Sequence, residues 1–225
     1  KGQVAIEAGL EPLAERLLQD PTLTPESEAT DFINAEQGVE DTKAALDGAK
    51  YILMERFAED ANLLAKLRQF LKQEATLSVR VIPGKEAEGS KFADYFEHDE
   101  ALKSVPSHRA LAILRGRNEG ILGFSLVTQA ELADKQAGSP CEAMIAGHFR
   151  LKNESRAADR WLAEVVKWTW RIKLLTHLET ELVGQLRESA EEGAIKVFAD
   201  NLKDLLLSAP AGAKNTMGLD PGLRT

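Results

Sequence analysis

Few residues of this 225-residue chain are equipped for chemistry. His98, His108, His148, His177 and the single cysteine, Cys141, share no metal-ligand spacing, so neither a metal site nor a cofactor is expected of them. No GxSxG, Walker or GxGxxG pattern occurs, and the acids fall along helix faces, so no residue is nominated as catalytic. What remains is cationic. Arg109 lies near the start of a helix over Pro106–Arg117, and Arg115 and Arg117 flank Gly116 at its end. A glycine between two arginines would let a phosphate come close. The competing reading is structural, because cations also tie helix C-termini to acids and carbonyls. Arg156, Arg160 and Lys167, with Lys152 nearby, form a second basic set. Gaps of four and seven put Arg156, Arg160 and Lys167 on one helix face, leaving Trp161, Val165, Trp168 and Ile172 for a buried side.

One carboxylate stands apart. In Gly218-Leu219-Asp220-Pro221-Gly222, Asp220 sits where an apolar strand would meet a Pro-Gly turn. RNase H-like folds present their first metal-binding carboxylate in this way.

Charge limits the partners. The formal net charge is −8, and Val4 to Leu64 holds 14 acids against four bases. That region should repel a phosphate backbone. Arg150 to Lys173 reverses the balance, with seven bases and three acids. No apolar run approaches the length of a membrane span. The lone cysteine excludes an internal disulfide and fits a reducing cytoplasm. The absence of an initiator Met and a last segment that stops in mid-motif read as part of a longer protein.

The elements that must position these residues are mostly helices. Short helical pieces are predicted over Glu11–Gln19, Pro25–Ile33 and Val39–Leu46, the last closed by Asp47-Gly48. A second long helix follows over Ala49–Ala75, with Leu53, Met54, Phe57, Ala61, Leu64, Leu67 and Leu71 as its stripe. Leu77–Ile82 and Ile121–Val127 carry strand signals and should pair as a two-stranded ribbon. Pro140–Leu151 and Ser155–Lys173 read as helices. The longest helix is expected over Glu179–Ala209, a spine with apolar residues from Leu182 to Leu206 and greatest burial around Leu205–Leu207. Asn215–Thr225 reads as the first strand of a new domain.

Four strings together, GLEPLAERLLQDP, KFADYFEHDEALKSVPSHRALAILRGRNEG, AIKVFADNLKDLLLSAPA and MGLDPGLRT, resemble the Tex family of bacterial transcription accessory proteins. The resemblance spans the whole chain. It implies a multi-domain cytoplasmic protein with a helix-turn-helix module, a long central helix and a YqgF-type RNase H-like domain. Helix-hairpin-helix units and a C-terminal OB-type RNA-binding domain would follow. The family's YqgF domain is regarded as non-nucleolytic, so Asp220 would be vestigial.

The fold expected is therefore mainly α: a multi-helix body with a helix-turn-helix-like module, one long central helix and a small β ribbon. Its parts would be a helical module and long helix at 1–75, a helical core with the ribbon and central helix at 76–214, and the first YqgF strand at 215–225. The leading functional expectation is a non-catalytic scaffold of an RNA-binding accessory protein, with nucleic acid held mainly by domains outside this chain. The alternatives are the start of a metal-dependent nuclease, or a module that binds the transcription machinery through its acidic helices.

Overall fold

The computed structural model describes residues 1–134 and 138–220. Three short helices open the chain, α1 (Gly2–Glu7), α2 (Glu11–Gln19) and α3 (Pro25–Thr30). All three pack on α4 (Thr42–Ala58), which also meets α9 (Asp159–Trp168) and the helical turn after it. Surrounded in this way, α4 buries Ala45, Ala49, Ile52, Leu53, Met54 and Phe57. It is the hub of the N-terminal half.

Two helix boundaries differ from those expected. Asp47-Gly48 does not end a helix; α4 runs straight through it. Gly48 is there for packing, since a Cβ at that position would collide with Leu10 Cδ1. The long helix expected over Ala49–Ala75 is two helices, α4 and α5 (Ala61–Glu74). Asp60 breaks the run by accepting a hydrogen bond from the Leu63 N–H at 2.8 Å, an N-cap that starts a new helix. The break shifts the stripe: Leu63, Leu67 and Leu71 are buried, whereas Ala61 is exposed.

The mainly α class holds, but the ribbon has three strands. β1 (Ala75–Val81) lies in the middle, antiparallel to β2 (Glu97–Ala101) and to β3 (Leu122–Thr128). β1 and β3 pair as expected, with Leu77 opposite Leu126 and Val79 opposite Phe124. β2 carries no strand signal in the sequence because its residues are Glu-His-Asp-Glu-Ala, with no apolar alternation. Charges of this kind suit an edge strand, which must discourage further pairing. α6 (Ser107–Asn118) packs on this sheet and α7 (Gln129–Ala133) follows β3.

After α8 (Pro140–His148), the chain is helical without a break from Asp159 to Leu206: α9, a π-helical turn at Thr169–Leu174, then α10 (Leu175–Leu206). The π turn inserts extra chain and rotates the apolar stripe. Trp161 and Val165 are buried as expected, but Trp168 and Ile172 are exposed, and Trp170 and Leu174 take the inner positions.

α10 is the longest element, at 32 residues or about 48 Å. Its C-terminal half contradicts the burial expected of it. Leu178 and Leu182 are 0% and 3% exposed, but Phe198 is 68% and Leu205 73% exposed. The helix packs against α5, α6 and the π turn, and α6 follows it outward: a Cβ at Gly193 would meet Ser107, and Val197 and Phe198 line a groove with α6. Residues 209–220 form neither helix nor strand, so the strand expected from Asn215 is not seen in its described part; 221–225 lie outside the described residues. Among the described residues, no helix is long and apolar enough to cross a membrane.

Candidate nucleic-acid interface

The six candidate cations fall into two chemical groups: those already held by a carboxylate, and those that are not. Arg109 belongs to the first. Its Nη1 donates to Glu100 Oε1 at 2.6 Å, and His98 Nε2 stands 3.2 Å from Glu100 Oε2. Burial would raise the Glu100 carboxyl, but Arg109 and His98 outweigh it and hold the group below its usual range. This contact fastens the first turn of α6 to β2.

Arg156 is also committed. Its guanidinium donates to Asp159 Oδ1 from Nε at 3.1 Å and from Nη2 at 2.9 Å, and Nη2 also reaches the Lys152 carbonyl at 2.8 Å. Asp159 accepts backbone N–H groups of Glu154 and Arg156 at 2.8 and 2.9 Å. The Arg156 side chain first, then these N–H groups, pull the Asp159 carboxyl down to about 2. Arg156 precedes α9, so the three-residue face predicted with Arg160 and Lys167 does not form. It locks the turn that launches the helix. Arg160 and Lys167 are exposed on α9 itself.

Arg115 and Arg117 differ from the expectation in another way. Gly116 between them is buried, and a Cβ there would lie 2.5 Å from Leu122 Cδ1. The glycine lets α6 sit on β3; it opens no path for a phosphate. The two arginines face different grooves. Arg115 lines a groove of α6 and the outer turns of α10, with His108, Leu111, Val197 and Phe198. Arg117 lines a second groove, of about 240 Å³, with Asn118, Phe124, Glu179, Thr180 and Arg187. Its guanidinium carbon is 4.6 Å from the centroid of the Phe124 ring, a cation–π contact.

Two residues of this second groove are not anticipated from the sequence. Arg187 reaches it from α10; its spacing from Thr180 and Val183 gives the shared face, but only the crossing of α10 past β3 gives it a neighbour. Glu179 accepts the Leu126 N–H at 2.7 Å and so covers part of the outer edge of β3. Nearby, Arg68 donates to both oxygens of Glu181 at 2.6 and 3.0 Å and clamps α5 to α10.

The remaining candidates stay scattered. Asp220 is exposed in the irregular C-terminal segment, and the Pro221-Gly222 turn expected after it lies outside the described residues. His148 Nε2 stands 3.2 Å from Asp60. Cys141 is fully buried, and desolvation raises its thiol to about 12, which makes it a core residue and not a nucleophile. Among the described residues, no group of three or more His, Cys, Asp or Glu could hold a metal.

Comparison with known proteins agrees with the resemblance seen in the sequence. The chain is 60% identical to Protein YhgF of Escherichia coli and 48% identical to the Transcriptional accessory protein Tex of Neisseria gonorrhoeae. At greater distance it is 25% identical to the human S1 RNA-binding domain-containing protein 1. Each alignment covers 100% of this chain, but it covers 29% of the two bacterial proteins and 23% of the human one. The chain thus spans less than a third of the length of these relatives. A family profile described as Tex central region-like matches residues 20–198. The chain belongs to the Tex central-region family.

Proposed function

We propose that this chain is the helical frame of a Tex-type transcription accessory protein: a non-catalytic region that carries nucleic-acid-binding parts lying elsewhere in the polypeptide. The observation that carries this reading is the outer half of α10. There Ile195, Val197, Phe198, Leu205 and Leu206 are exposed, Val197 and Phe198 at the edge of a groove against α6. Exposed apolar surface of this extent marks a contact to be made. The relatives' lengths leave ample chain to make it, and the names of two of them refer to transcription and to RNA binding. The YqgF-type domain and a vestigial role for Asp220 belong to the same proposal.

The test compares this chain with a full-length Tex-type protein containing it. Both are titrated with single- and double-stranded RNA and DNA, and both are incubated with substrate and Mg²⁺ or Mn²⁺. The reading expects tight binding by the full-length protein, much weaker binding by this chain, and no cleavage by either. Equal affinity for the two would refute the frame role. Metal-dependent cleavage abolished by Asp220→Asn would establish the nuclease alternative.

A further inference from the structure

The groove between α6, β3 and α10 brings together two guanidinium groups that no strong carboxylate holds. Arg117 makes no ion pair with a described residue; it rests on the face of Phe124. Arg187 has one acidic neighbour, Glu191, at 3.9 Å, and both side chains are more than half exposed. Such a pair is weak and easily exchanged. Arg68, Arg109 and Arg156, by contrast, sit on carboxylates at hydrogen-bond distance. Arg117 and Arg187 thus bring two weakly held positive charges into one recess, while Arg115 lines another.

The recess also offers a neutral donor in Asn118, whereas the Thr180 hydroxyl, in the same lining, donates to the Thr176 carbonyl at 2.8 Å. Ladder alternation puts the Phe124 N–H on the same outer edge of β3 as the Leu126 N–H that Glu179 accepts. Glu179 is the acid of this lining, and its Oε1 is turned onto the strand. Farther along, the Thr128 N–H is taken by Glu131 at 2.8 Å. The open edge of β3 is thus too short for an added strand, but Phe124, whose N–H it leaves outward, lines the same groove as the two arginines. Two guanidinium forks that line one recess, with Asn118 beside them, suit a phosphate group.

We propose that this groove seats a backbone phosphate of single-stranded nucleic acid, gripped by Arg117 from α6 and Arg187 from α10. The proposal rests on the nucleic-acid-binding reading above and adds a binding site within this chain. A single strand can bend one phosphate into a recess walled by a helix; a rigid duplex cannot. The site is accessory, since the net charge of −8 opposes any extended track of phosphates.

The experiment is fluorescence anisotropy with a short labelled single-stranded RNA over a series of salt concentrations. It uses this chain and the full-length protein, each as wild type, as Arg117→Glu/Arg187→Glu, as Arg187→Ala, and as the charge-matched control Lys43→Glu/Lys66→Glu at exposed positions of α4 and α5. In this chain the double variant should bind about tenfold or more weakly. Its log–log salt slope should become shallower by about 0.7 for each phosphate that is no longer neutralised. Arg187→Ala, which alters only an exposed side chain, should show the same effect in smaller measure, and the α4/α5 control should bind as wild type does. The site is refuted if the wild-type chain shows no saturable binding at low salt, or if the double variant stays within twofold of it. It is also refuted if an acidic peptide, and not the RNA, is the ligand that depends on Arg117 and Arg187. Full-length binding that ignores the double variant removes this site and leaves the broader reading standing. A full-length protein that binds no nucleic acid removes both.

Discussion

The two halves of α10 share one helix and one apolar periodicity, yet only one is buried. From Leu175 to Ala190, Leu178, Leu182, Val183 and Ala190 lie inside the body. From Ile195 to Leu206 the same spacing of apolar residues faces outward. The difference lies in the neighbours. The inner half is flanked by α5 and α6, clamped by Arg68 to Glu181, and fixed to β3 by Glu179. Past the α6 groove, Leu202, Leu205 and Leu206 of the outer half are exposed. Periodicity therefore establishes that a helix has an apolar face; it does not establish that the partner for that face is in the same chain.

Mutations should separate the halves sharply. Leu178→Ala or Leu182→Ala should cost about 2–5 kcal/mol, because each leaves a cavity in a packed core. In the outer half, Phe198→Ala or Leu205→Ala should change the stability of this chain by less than about 0.5 kcal/mol. Urea unfolding of the variants checks both. Similar destabilisation in the two halves would mean that the outer turns are packed in solution, and the comparison would fail.

Gly116→Ala probes the support under the inner half. Its Cβ would meet Leu122, so overpacking of the α6–β3 seam should cost about 1–3 kcal/mol. Gly184, on α10 itself, has open space where a Cβ would go. Gly184→Ala should therefore stabilise the chain by about 0.5–1 kcal/mol through helix propensity. Thermal melts read both changes, and equal signs would contradict the packing described. The turn that launches the whole helical run depends on pH. The Asp159 carboxyl is lowered in the folded state, so its contribution is complete above the ordinary carboxylate value near 3.8 and is lost as pH falls through about 2. Asp159→Asn should remove that part of the acid-unfolding curve and leave the curve above it parallel to wild type. An unchanged acid limb would show that the Arg156–Asp159 lock is not holding the turn.

Much of this fold is legible in the sequence, for reasons that vary by residue. Leu77, Val79 and Val81 announce β1, and the run from Ile121 to Val127 announces β3, because both strands bury apolar side chains. β2 is hidden because its charged residues carry no such signal. The break before α5 is hidden because the spacing of Phe57, Ala61, Leu64, Leu67 and Leu71 reads as one helix straight through Asp60, although the buried side is Leu63, Leu67 and Leu71. The candidate site is less legible. Arg109 and Arg156 look available in sequence, but Glu100 and Asp159 fold back onto them. Gly116 looks like an opening and is a packing seam. Arg187 gives no sign by itself; its proximity to Arg117 arises from the crossing of two helices distant in the chain.

The central claim is that the outer half of α10 awaits a partner that this chain does not supply. Amide hydrogen exchange along α10, measured in this chain and in a full-length Tex-type protein, tests it most directly. Amides from Leu178 to Ala190 should be strongly protected in both. Those from Val197 to Leu206 should exchange far faster in this chain and become protected in the full-length protein. Uniform protection of α10 in this chain, or outer turns that stay unprotected in the full-length protein, would contradict the account.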